Sequence, residues 1–217
     1  VSKIILETRK LREEMGVDSI TIGDDFMLQL GINYISPLYI SCIMGIDKTS
    51  EVYDVSMDGA RRITLNQHTV NRNSILLDDL KRYTKAMASN VELQLYANIS
   101  CLANCTVRDL HYDYLSGISQ FNERKRVTDS DPFIMYCSDV YLNDPTEFLK
   151  SPFIRPEDIS YYEKEFGITH FKLSDRREPT DALVELYGAY MAGEFHGNLF
   201  DLLFRYGRKW TNAVHGC

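Results

Sequence analysis

The chain has 217 residues, 44% of them hydrophobic, enough for one substantial core or at most two small ones. A formal charge of −7 argues against a general affinity for nucleic acid, because counterion release needs clustered Lys and Arg, though a local basic site stays open. No apolar run approaches the roughly 20 residues that cross a bilayer, and no signal-peptide pattern opens the chain, so a soluble, cytoplasmic protein is expected.

Val1 to Glu14 has helical periodicity, with Ile4, Ile5 and Leu11 on one face. No initiator Met precedes it and the chain stops at Gly216-Cys217, which reads as a fragment of a longer protein. After Gly16 comes a strand at Ser19–Ile22, and Gly23-Asp-Asp opens the next helix with good capping residues. Leu38–Ile43 is predicted as the second strand, Ser50–Met57 as a helix and Arg62–Leu65 as the third strand. Asn73 or Ser74 caps a helix through Met87, and Val91–Tyr96 is the fourth strand. The stretch 98–150 breaks the alternation and reads as an irregular insertion, with Pro132–Cys137 as an apolar strand and Gln120–Asp131 as an exposed loop. A helix at Pro156–Phe166, a turn at Gly167, a strand at Thr169–Leu173 and a helix at Thr180–Met191 then resume the pattern.

Alternating helices and strands with short connections imply βαβ units and a parallel sheet. The fold class expected is α/β: a TIM-like (β/α) barrel, partial or truncated, formed as a single domain over 1–217. A full barrel takes about 250 residues. A complete doubly wound sheet is the alternative. In the fourth strand Val91, Leu93 and Leu95 alternate with Glu92, Gln94 and Tyr96, as in a barrel strand with one face on helices and a polar face inward. A half-exposed edge strand would read the same way.

Ligands of parallel α/β folds lie beyond the carboxyl ends of the strands, so the residues that follow each strand are the candidates. Asn66 and Arg72 follow the third strand; Cys101, Cys105, Arg108 and His111 follow the fourth; Asp175 and Arg176 follow the last. Five cysteines are an odd number in a chain too large to need disulfides, so reduced thiols are expected. Cys42, in an apolar strand, reads as core. Cys101 and Cys105 lie in a polar segment, where thiolates suit zinc or an iron–sulfur cluster, and Cys137 is a third ligand candidate. The fourth could be Cys42, Cys217, His111 or a residue beyond the chain. Cys-x₃-Cys alone is a weak signal. His111 reads as a base, a ligand or a hydrogen-bonded loop histidine, and Arg108, Arg155, Lys172 and Arg176 as an anion-binding rim or simply solvated charges.

Several segments resemble the collagenase-like peptidase family of unassigned mechanism. They are Arg62-Ile-Thr-Leu-Asn66 with Val70-Asn-Arg72, the run from Glu92 to Cys101 and Cys105 with Arg108 and His111, then Cys137, Phe153-Ile-Arg-Pro-Glu-Asp158 and Phe171-Lys-Leu-Ser-Asp-Arg176. The resemblance implies a TIM-like barrel and, as in several members, a four-cysteine [4Fe-4S] cluster, with zinc as the alternative. Cys101, Cys105 and Cys137 would be its ligands, Glu92 and His111 the catalytic groups, and Asn66, Arg72, Arg108, Lys172 and Arg176 the substrate contacts. The substrate would be a small molecule, a peptide or RNA, with a partner protein of the same family and no membrane. Where the peptidase signature alternates a Glu, an aromatic and a His, this chain has Glu92, Gln94 and Tyr96, and its two cysteines are closer together. The chain therefore looks like a divergent subgroup, nearer to the cluster-bearing members than to a hydrolase; a metal-dependent hydrolase and a non-catalytic scaffold are the other readings.

Overall fold

The computed structural model describes residues 2–31, 37–87, 90–120, 131–173 and 179–203. The chain divides into two compact units, Val1–Ala97 with Asp158–Leu173, and Asn98–Glu157 with Ser174–Cys217.

The first unit holds α1 (Ser2–Glu13), β1 (Ile20–Ile22), α2 (Asp25–Gly31), β2 (Leu38–Ile40), α3 (Thr49–Met57), β3 (Ala60–Thr64), α4 (Ser74–Ala86) and β4 (Glu92–Tyr96). The second unit begins with α5 (Arg108–Gln120), α6 (Pro132–Asn143) and α7 (Glu147–Lys150). The chain then returns to the first unit for α8 (Ile159–Phe166) and β5 (His170–Lys172), and ends in the second with α9 (Thr180–Ala192) and α10 (Leu199–Leu203). The caps follow from the residues: Asp24 Oδ1 accepts the Met27 N–H at 2.8 Å, Asn73 Oδ1 accepts the Leu76 N–H at 3.2 Å, and Gly167 ends α8 at φ 69°.

All five strands are parallel and run in the order β1-β2-β3-β4-β5. A doubly wound sheet reverses its strand order at a switch point, and here the order never reverses. The sheet is an arc of a TIM-like barrel, as the alternation implied. Register puts Leu93 beside Ile63 and Leu95 beside Phe171, forming one apolar face. Phe171 meets the Tyr162 ring of α8 at 6.3 Å, so the helices cover that face. Ile40, Ile63, Leu80 and Leu95 are fully buried. The opposite face carries Tyr39, Arg62, Thr64, Glu92, Gln94, Tyr96, His170 and Lys172, aligned by the same register.

Two expected strands differ. The second strand stops at Ile40 and Cys42–Met44 forms a 3₁₀ turn, because Ser41 Oγ accepts the Ile43 N–H at 3.3 Å and Gly45 closes the turn at φ 71°. Cys42 is nonetheless core, as read. Pro132–Cys137 is the first half of α6: Asp131 Oδ1 accepts the N–H groups of Phe133 at 2.9 Å and Ile134 at 3.2 Å, and Pro132 supplies a helical φ at the first position. Its apolar residues thus lie on a helix. The stretch 98–150, expected to be irregular, contains α5, α6 and α7 among its described residues; most of the expected loop, 121–130, lies outside them. No helix among the described residues is long and apolar enough to cross a membrane.

Leu95 is 0% exposed at the centre of the apolar face, whereas Ile75 on α4 is 78% exposed. Leu95→Ala should lower the unfolding free energy by about 2–5 kcal/mol, and Ile75→Ala should change it by less than about 0.5 kcal/mol. Urea denaturation followed by circular dichroism measures both; equal effects would contradict the assignment of faces.

Candidate functional site

The second unit holds Cys101, Cys105 and Cys137. The Cys101 segment is tied down by two hydroxyls: Tyr141 Oη donates to the Ser100 carbonyl at 3.2 Å, and buried Ser151 Oγ donates to the Cys101 carbonyl at 2.7 Å. Tyr141 is itself fixed by stacking on Phe148 at 4.1 Å. Asn104, at φ 49°, turns the chain through the left-handed region that Asn tolerates. Cys105 then sits just ahead of α5, where its carbonyl accepts the Arg108 N–H at 3.4 Å.

Cys105 and Cys137 share a hydrogen bond between their sulfur atoms, although one precedes α5 and the other lies on α6. The Cys137 thiol donates to the Cys105 sulfur, and this bond, joined by the Val107 N–H and the Arg108 charge, lowers the Cys105 pKa to about 6 against desolvation. The same bond, burial and the charges of Cys105, Cys101 and Asp131 push Cys137 strongly upward. Of the two, Cys105 is the thiol that deprotonates first. The donor chemistry suits a thiolate-bound metal or cluster, but among the described residues no three His, Cys, Asp or Glu side chains converge closely enough to hold a metal ion. Cys217 lies outside them.

His111 is in the first turn of α5. Its Nε2 lies 3.1 Å from Oδ2 of Asp131, whose side chain is 4% exposed, and its ring stacks on Phe133 at 5.1 Å. Asp131 thus caps α6 with one oxygen and orients His111 with the other. Sequence reading passed over Asp131; the signal was the Asp131-Pro132 pair, a helix-start signature. Arg108 is paired with Asp109 and lies over the Tyr112 ring at 4.9 Å. Its side chain is largely buried.

Glu92 belongs to the first unit and His111 to the second. Its carboxylate accepts from Arg62 Nη2 at 2.7 Å and Nε at 2.9 Å, and from Arg61 Nη2 at 3.3 Å, while His170 Nε2 is 3.6 Å away. The Arg62 hydrogen bonds, followed by the charges of Arg62, His170 and Arg61, hold its pKa below the usual carboxylate value. Lys172 in the same unit lies over the Tyr96 ring at 5.4 Å. Asn66 builds its own loop, with Oδ1 accepting the His68 N–H at 3.1 Å and Nδ2 donating to Asp47 at 3.4 Å. Arg72 adopts φ 61°, and its backbone hydrogen-bonds the Tyr162 hydroxyl. Arg176 lies outside the described residues.

No family model matches the chain. Over 191 residues it is 27% identical to an uncharacterized protease of Methanocaldococcus jannaschii, an alignment covering 88% of this chain and 54% of that protein. Among solved structures it resembles the U32 peptidase Mk0906, with a TM-score of 0.52, 16% identity, and coverage of 82% of this chain and 63% of that one. In sequence the chain is similar to that protease, and in fold to a member of the U32 peptidase family. This is the family of unassigned mechanism that its motifs resemble. The chain spans about half the length (54%) of the curated relative it matches.

Its lowered pKa makes Cys105 the more reactive of the two thiols. Its alkylation by iodoacetamide should reach half its maximal rate near pH 6, and Cys137→Ala should move that midpoint up toward the ordinary 9.0, as read by mass spectrometry. Stability carries the matching sign. Depression of Cys105 adds stability that is present in full above pH 9.0 and lost as pH falls through about 6. Above 9.0 the raised Cys137 works the other way, because the folded chain retains a proton that the unfolded one releases.

Proposed function

We propose that this chain is a member of the U32 peptidase family and an iron–sulfur-dependent enzyme or accessory protein that modifies an organic substrate, with Cys101, Cys105 and Cys137 as cluster ligands. The observation that carries the reading is the Cys105–Cys137 contact, which joins two separate segments through sulfur, with Cys101 near enough to raise Cys137 electrostatically. Thiols must lose their protons to bind metal, and the lowered pKa of Cys105 favours that loss. A [4Fe-4S] cluster bound there would supply one-electron chemistry. Among the described residues these three thiols do not converge on one point, so cluster binding would have to draw them together and take a further donor from outside them or from a partner protein of the same family. The formal charge of −7 favours a small organic substrate over RNA.

The rest of the reading concerns the chain's own groups. Asp131 fixes the ring orientation of His111, which suits a hydrogen-bonding or proton-holding role on the same unit as the thiols. Zinc is the alternative metal, since the same thiolates suit it. The relatives are described as a protease and a peptidase, and a hydrolase reading would use Glu92 and His111 in acid–base roles. Glu92 is held ionised by Arg62, which makes it a weak base near neutral pH.

Anaerobic reconstitution with iron and sulfide tests the proposal. A brown protein with broad absorbance in the blue is expected, and Cys101→Ala combined with Cys105→Ala should abolish it. A colourless protein with stoichiometric zinc, or full iron retention in the double variant, would overturn the assignment.

A further inference from the structure

The polar face of the sheet is layered by its register. In the layer nearest the strand starts, Tyr39, Arg62 and Glu92 stand side by side, with Arg62 over Tyr39 at 4.8 Å and bonded to Glu92. Charge is satisfied there internally. The middle layer places Thr64, Gln94 and His170 in register, where Thr64 Oγ1 donates to Gln94 Oε1 at 2.8 Å and His170 reaches down to Glu92 at 3.6 Å. The layer at the carboxyl end pairs Tyr96 with Lys172, and the ammonium lies over the ring at 5.4 Å.

Lys172 differs from the charges below it. Among the described residues no carboxylate pairs with it, although the chain has 31 acidic residues against 24 Lys and Arg. It is half-buried, so water only partly screens its charge. It also stands at the strand end where parallel α/β sheets meet their ligands.

We propose that Lys172 is the anchoring cation for a small ligand that bears an oxyanion, a carboxylate or a phosphate, bound over Tyr96 on the polar face of β4 and β5. The lower layers exclude the ligand's charge from deeper in the sheet, because Arg62 is already committed to Glu92. Tyr96 provides a flat apolar surface beside the cation. The inference concerns the first unit alone and does not depend on a cluster at the thiols.

Thermal shift of the chain at constant ionic strength, with sodium phosphate in one series and sodium acetate in another against a chloride baseline, tests it. A saturable stabilisation by phosphate would indicate a phosphate-bearing ligand, and one by acetate a carboxylate. Lys172→Met should weaken the effective probe by about tenfold or more, as loss of a charge-assisted bond implies, and Lys172→Arg should retain it. Lys150→Met, which removes a fully exposed amine paired with Glu147, should leave it unchanged. Circular dichroism checks that each variant is folded. No saturable shift with either probe, or equal shifts in folded Lys172→Met and the parent chain, overturns the proposal.

Discussion

A half-buried carboxylate in the middle of a parallel sheet must be matched by cations, and Glu92 is matched by Arg62 and Arg61 from the neighbouring strand, with His170 Nε2 3.6 Å away on the other side. That requirement and the period-two alternation of a strand fix the arrangement together. A slip of β4 by one residue would turn Glu92 toward the helices and bring Leu95, now fully buried, onto the polar face. Both changes are costly, one through an unpaired charge and the other through exposed apolar area. The register therefore does not drift. Everything aligned by it, from Thr64–Gln94 to Tyr96–Lys172, inherits its position from that pairing.

The two units solve different problems. The sheet unit neutralises charge at one end and keeps a cation at the other, a gradient along the strands that suits orientation of a ligand. The second unit concentrates soft, polarizable donors and a histidine in helical segments. In sequence, β4 runs directly into the thiol segment, so a single strand leads from the Glu92 layer through Tyr96 to Cys101 and Cys105. An inserted segment between β4 and β5 is where a βα fold adds chemistry without disturbing its sheet.

Much of the sheet was legible in the sequence because its signals are local. Val91-Glu-Leu-Gln-Leu-Tyr96 displays its two faces by alternation, and Asp24, Asn73 and Gly167 mark helix ends by their own conformational preferences. Where two local signals competed, the apolar one misled. Phe133, Ile134 and Met135 suggested a strand, while Asp131-Pro132 was already fixing the first turn of a helix. Ser41 similarly curled the end of an apolar run into a turn. The candidate site was legible as residue types but not as pairings. Nothing local states that Cys137 meets Cys105, that Asp131 meets His111 or that Arg62 meets Glu92, because each pair is assembled by long-range packing.

Asp131 and Cys137 lie on the same helix, one at its cap and the other more than a turn along it, and each is bonded to a residue at or just before the start of α5. Two attachment points on one rigid rod fix its rotation as well as its position. The acid–imidazole contact and the sulfur contact therefore act as a two-point clamp between α5 and α6.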